Sequence, residues 1–136
     1  MPGPWGYLSE ILDPISQTTI EFAPPAPAFS IVVSYAGNIT TLPALIDTGA
    51  DCTVIPQSIV SLLSLRKISS NVKVKTANNQ RSLCSMYKAD LRFLDFNFPN
   101  HPIVSIQRRN VVLIGRDILN LFKATFDGPT AQFSIE

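Results

Sequence analysis

The chain has 136 residues, a length for one domain with one core. Hydrophobic residues make up 46% and charged residues only 15%, against roughly 25% charged in typical soluble proteins. Two cysteines and one histidine exclude a disulfide framework and a four-ligand structural zinc site.

So little charge implies that part of the surface is covered, most simply by a second subunit. The net charge of +1 hides an asymmetry: residues 1–65 carry five acids and no Lys or Arg, hence −5, while residues 66–136 carry all 11 basic residues and five acids, hence +6. The basic residues are scattered singly and in pairs such as Arg108-Arg109, with no run resembling a nucleic-acid footprint. The N-terminus lacks a basic region followed by an apolar run, so no signal peptide is expected. Residues 22–46 are uncharged, but Pro24, Pro25, Pro27, Gly37, Asn38 and Pro43 break them up, which argues against a spanning helix. The expectation is a soluble, cytoplasmic protein without membrane or nucleic-acid partners. Cys52 and Cys84 read as buried free thiols.

In chain order, residues 1–28 are Pro-rich and poorly periodic, and read as an arm lying on the surface or on a partner; residues 18–22 could form a short edge strand. The core domain is expected over residues 29–136. Residues 29–35 and 39–46 read as strands joined by a tight turn at Gly37-Asn38. Residues 53–55 read as a short buried strand. Pro56 then sits where a helix would start, over residues 57–65. Residues 72–93 read as a long two-stranded arm with a turn at Asn78-Asn79, because Asn tolerates positive φ. Residues 96–102 read as a loop, and residues 103–106 and 111–114 as strands joined by a basic turn. Asp117 is placed to cap a short helix over residues 118–122. Residues 123–127 and 131–135 close the chain as a strand pair. The fold class is mainly β with one or two short helices.

Two stretches carry the chemistry. Ala44-Leu45-Ile46-Asp47-Thr48-Gly49-Ala50-Asp51 is an apolar strand running into an acid, a hydroxyl and a glycine. A carboxylate at the end of a buried strand needs a partner or a task. Val111-Val112-Leu113-Ile114-Gly115-Arg116-Asp117 is a second apolar strand ending at glycine, with a helix behind it. This ordered pair, with a long hairpin between, resembles the retroviral-type aspartic proteases, the retropepsins, and most of all their cellular members. The resemblance covers roughly residues 29–128 and implies a closed, barrel-like β-fold that works as a homodimer, each subunit giving one catalytic Asp, with no cofactor. Asp47 would be that carboxylate. Thr48 would lock the two acid loops across the two-fold axis, and Gly49 would leave room for a peptide backbone. Asp51, with Ala50 beside it, would bind substrate backbone, and Asp51 would also pair with Arg116. Gly115 would pack against the acid loop, with Arg116 and Asp117 supporting it. Thr76, Ala77, Asn78 and Asn79 would form a flap tip over an extended peptide.

The chemistry agrees independently. Amide hydrolysis without metal or covalent nucleophile needs one group to deprotonate water and another to protonate the substrate. Two carboxylates about 3 Å apart share one proton and divide these roles. This chain has one Asp-Thr-Gly; Asp127-Gly128 has no hydroxyl residue between and sits at a turn. An active enzyme must therefore be a symmetric dimer. Cys52 reads as a pocket-wall residue, since a thiol protease would need a histidine base and His101 reads as a surface residue. Two alternatives stay open. One is a non-catalytic domain for dimerisation or peptide binding, whose best support is that no glycine lies between Gly49 and Gly115. An inactive precursor with residues 1–28 across the cleft is the other.

Overall fold

The computed structural model describes residues 3–75, 81–106 and 110–136. The barrel is built on a hairpin of β4 (Ala28–Tyr35) and β5 (Asn38–Ile46). Tyr35 pairs with Asn38, so the turn residues are Ala36 and Gly37, one position before the sequence expectation. Both have positive φ, 50° and 88°, as a turn matching strand twist requires, and glycine supplies the second at no steric cost. Asn38 is thereby free to donate from Nδ2 to the Leu63 carbonyl, 3.2 Å away. Leu63 ends helix α1 (Gln57–Leu63), which follows β6 (Val54–Pro56). The helix stops two residues earlier than the apolar pattern implied, because Ser64 turns left-handed at φ 53°. Ile59 and Leu63 face the core, whereas Leu62 stays exposed.

The arm comprises β7 (Lys67–Lys75) and β8 (Arg81–Phe93), with β7 starting five residues ahead of the expected strand. The expected turn at Asn78-Asn79 and the basic turn at Arg108-Arg109 lie outside the described residues.

One expectation is overturned. Residues 96–102 are not a loop but the first part of β9 (Phe96–Ile106). A two-residue turn at Leu94-Asp95, with Leu94 at φ 51°, pairs Phe93 with Phe96. Pro99, Asn100 and Pro102 suggest a break, but alternate Phe96 and Phe98 pack on Phe93 and Phe122 and hold the strand to the barrel. The irregularity is absorbed by a register shift opposite Asp90, whose carboxylate accepts the Asn100 amide at 2.6 Å.

The main sheet runs β4-β5-β10-β6-β9-β8-β7, with β10 spanning Val112–Ile114, and pairing of β4 with β8 closes six of these strands into a barrel. Ile31, Val33, Leu91, Ile103, Val112 and Ile114 fill its centre, essentially without solvent contact. A truncation such as Leu91→Ala in such a core costs about 2–5 kcal/mol.

The N-terminal segment holds strands beyond the single one expected. Trp5–Gly6 (β1) pairs with Gln132–Ile135 (β12), which pairs with Ala124–Asp127 (β11) as anticipated for the closing hairpin. Trp5 lies against Phe133 and Phe96. Leu8–Asp13 (β2) and Thr18–Ala26 (β3) form a separate two-stranded hairpin. Its turn is closed by Asp13, whose carboxylate accepts the Ile15 amide and the Ser16 hydroxyl.

Candidate active site

The two half-motifs, 68 residues apart, become parallel neighbours: β10 pairs with β5 with Leu113 opposite Leu45 and Ile114 opposite Ile46. Where β5 ends, the Asp47 amide donates to the Ile114 carbonyl at 3.0 Å. The chain then curls into the acid loop. The Gly49 amide donates to Asp47 Oδ1 at 2.9 Å, and the Ala50 amide to the Asp47 carbonyl at 3.2 Å. One carboxylate oxygen is thus pinned by backbone. Asp47 is half-buried, while Thr48 and Gly49 are exposed, so the acid and its hydroxyl neighbour sit at an open face of the chain.

The other half-motif fastens the loop from behind. A Cβ on Gly115 would lie 2.5 Å from the carbonyl carbon and oxygen of Cys52 and 3.0 Å from the Ala50 oxygen. Only a hydrogen fits there. The Arg116 amide donates to the Ala50 carbonyl at 2.9 Å. The Arg116 guanidinium pairs with Asp51, both side chains about half exposed.

Helix α2 (Arg116–Leu119) starts two residues before the expected helix, so Asp117 lies in its first turn and Gly115 takes the cap position. Asp117 Oδ1 accepts the Ile118 amide and the Thr53 hydroxyl, each at 2.9 Å, and the fully buried Thr53 in turn accepts the Gly115 amide at 3.3 Å. Asp117 Oδ2 accepts His101 Nε2–H at 2.8 Å. His101 is therefore not a surface residue; its side chain is only 16% exposed. Burial by itself would raise the Asp117 carboxyl, but the hydrogen bonds from His101 and Thr53 outweigh it and hold the group below its usual range. Sequence reasoning missed Thr53 and His101 as members of this network. The alternation of Phe96 and Phe98 was the available signal that His101 belongs to a packed strand.

Cys52 lies half-buried against the apolar cluster that Leu45, Val54 and Leu113 help to form. Burial, with the negative charges of Asp117 and Asp51, pushes its thiol up to about 11, so it remains protonated and is no nucleophile at neutral pH. Thr76, Ala77, Asn78 and Asn79 lie outside the described residues. Among the described residues no His, Cys, Asp and Glu group could hold a metal ion, and no helix is long and apolar enough to cross a membrane.

Residues 31–118 match the family model for aspartyl proteases, a span that contains the acid loop and the glycine that backs it. The chain belongs to the aspartyl protease family. No curated protein sequence matches it significantly. Among solved structures, equine infectious anaemia virus (EIAV) protease bound to an inhibitor is similar over 70% of this chain and 86% of that one, at 21% identity and a TM-score of 0.53. A retropepsin-like aspartic protease from Rickettsia conorii is similar over 79% of this chain and 80% of that one, at 16% identity and a TM-score of 0.50. A foamy viral protease-reverse transcriptase is similar over 71% of this chain, at 22% identity and a TM-score of 0.52, and this chain spans 12% of its length. These likenesses show the fold: the chain has the retropepsin-like architecture.

Proposed function

We propose that the protein is an aspartic endopeptidase in which two chains bring their Asp47 carboxylates together on a two-fold axis. The observation that carries this reading is the acid loop itself. Asp47 has one oxygen held by the Gly49 amide and stands with exposed Thr48 at an open face, so a second copy can approach. The pair holds one proton between two carboxylates; one acts as base toward water and the other as acid toward the substrate carbonyl. Thr48 hydroxyls link the two loops. A peptide lies extended along the groove, bound through its backbone as an added strand, with Ala50 and Asp51 at the floor. Apolar side chains on both sides of the cleaved bond fit the apolar wall of Leu45, Val54 and Leu113. Activity is greatest at mildly acidic pH, because the coupled pair must retain a proton.

The test is cleavage of an unfolded protein by the full chain and by Asp47→Asn, with the solution mass of each. The reading expects a dimer in both cases and cleavage only with Asp47. Cleavage by the variant sinks the mechanism, and so does a chain that stays monomeric while cleaving. A folded dimer that never cleaves at any pH between 4 and 7 would instead mark a peptide-binding module.

A further inference from the structure

The apolar wall beside the acid loop is already occupied. It is a second cluster, distinct from the barrel centre, to which β5, β6, β8, β9 and β10 contribute. Leu45 stands two residues before Asp47, and Leu113 two before Gly115, so both flank the stem of the acid loop. Val72 and Cys84 come from the β7–β8 arm. The cluster therefore lies between the loop that carries the acid and the arm, the space that the function proposed above gives to a peptide. One further residue packs on it: Ile20, from β3 of the N-terminal hairpin.

The hairpin is well placed to reach this wall. The segment that follows β3 leaves directly from the acid strand, since the Ile46 amide donates to the Pro27 carbonyl at 3.1 Å. Strand β2 lies alongside β4 and β5. Strand β3 is extended, as a bound peptide is. It is also held lightly: Ile20, Phe22 and Ala26 are half-buried, the rest of β3 is exposed, and none of its residues is fully buried. Segments with so few apolar contacts detach at low cost compared with core strands. The hairpin leaves Asp47, Thr48 and Gly49 at least partly open, so it covers the groove wall and not the carboxylate.

We propose that the β2–β3 hairpin is a built-in competitor of substrate, with Ile20 lodged in the apolar groove beside the acid loop, so that peptide enters only when the hairpin lifts. This rests on the groove being the peptide site. A protein whose binding-competent form is a minor fraction shows an affinity reduced by that fraction. The hairpin thus raises the substrate concentration needed for half-maximal binding without touching the acid.

The test uses the full chain carrying Asp47→Asn, so that binding is read without hydrolysis. The probe is a fluorescein-labelled synthetic peptide with this chain's own β3 sequence, Thr18–Ala26. Adding Ile20→Glu to the chain is expected to tighten probe binding about tenfold, the scale of losing one partly buried Ile from the wall. Amide exchange is expected to quicken across β3 while β5 and β10 keep their protection. If the glutamate disturbs the barrel, Ile20→Ala supplies the same comparison. Equal or weaker probe binding in a chain with an intact barrel overturns the inference. The two readings fail separately: tighter binding without any cleavage by the Asp47 chain sinks only the protease, and cleavage with unchanged binding sinks only the hairpin.

Discussion

His101 Nε2 and Asp117 Oδ2 lie 2.8 Å apart, joining strand β9 to the helix behind the acid loop. Asp117 also receives Thr53, which itself holds the Gly115 amide, so four positions separated in sequence are tied into one support. Breaking such a half-buried network by Asp117→Ala should cost about 1–3 kcal/mol, because Thr53 and His101 lose their acceptor. Urea midpoints at pH 7 measure it.

The same carboxylate sets an acid limit. Its native pKa is lowered, so its contribution to stability is complete above the unfolded value, near 3.9 for a free Asp, and fades as pH falls through the lower native value. The Asp117→Asn chain, which has no such proton to gain, should therefore lose less stability than the parent between pH 5 and about pH 3. Parallel losses in the two chains would show that the acid limit lies elsewhere.

Gly115→Ala places a methyl 2.5 Å from the Cys52 backbone, which cannot rotate aside as a side chain can. The loop must shift, at a cost of about 1–3 kcal/mol or more. Thermal unfolding reads the loss, and peptide cleavage should fall with it, since Asp47 is carried by the displaced loop.

Asp51→Asn separates stability from function. Its ion pair with Arg116 is about half exposed, and such pairs contribute only about 0–1 kcal/mol. Stability should barely change, while KM for a peptide should rise if Asp51 meets the substrate backbone. A variant with unchanged KM would assign Asp51 to loop structure alone.

Cys52 should resist alkylation. A thiol raised from 9.0 to about 11 presents about 100-fold less thiolate at pH 8. Iodoacetamide labelling followed by peptide mass mapping should be slow at that pH and accelerate only above about pH 10.

The candidate site was legible as a pair of motifs because it is written in short, contiguous stretches. An acid, hydroxyl and glycine after an apolar strand, and a second strand ending at glycine, are local patterns, and each marks a backbone that must approach something closely. The barrel strands were legible for a similar reason: alternation at residues 29–35 and 39–46 is a property of neighbouring residues. The Gly37 turn slipped by one position because either Ala36-Gly37 or Gly37-Asn38 satisfies local rules. The structure takes the first, with Tyr35 opposite Asn38 and Ile31 opposite Leu42, and Asn38 then reaches the distant Leu63 carbonyl. Residues 96–102 misled because Pro99, Asn100 and Pro102 signal a loop locally, while the aromatic contacts that hold the strand come from Phe93 and Phe122.

By itself, the order of residues determined that one carboxylate stands at the end of an apolar strand and that the chain holds a single Asp-Thr-Gly. Only the tertiary structure decided what surrounds that acid: the parallel seam of β5 and β10, the Thr53, Asp117 and His101 support, and Ile20 packed on the apolar cluster of Val54 and Leu113. The physical reason is range. Turns and strand periods arise from neighbours a few residues apart, whereas these contacts join positions 16 to more than 60 residues apart, which only packing of the closed barrel brings together.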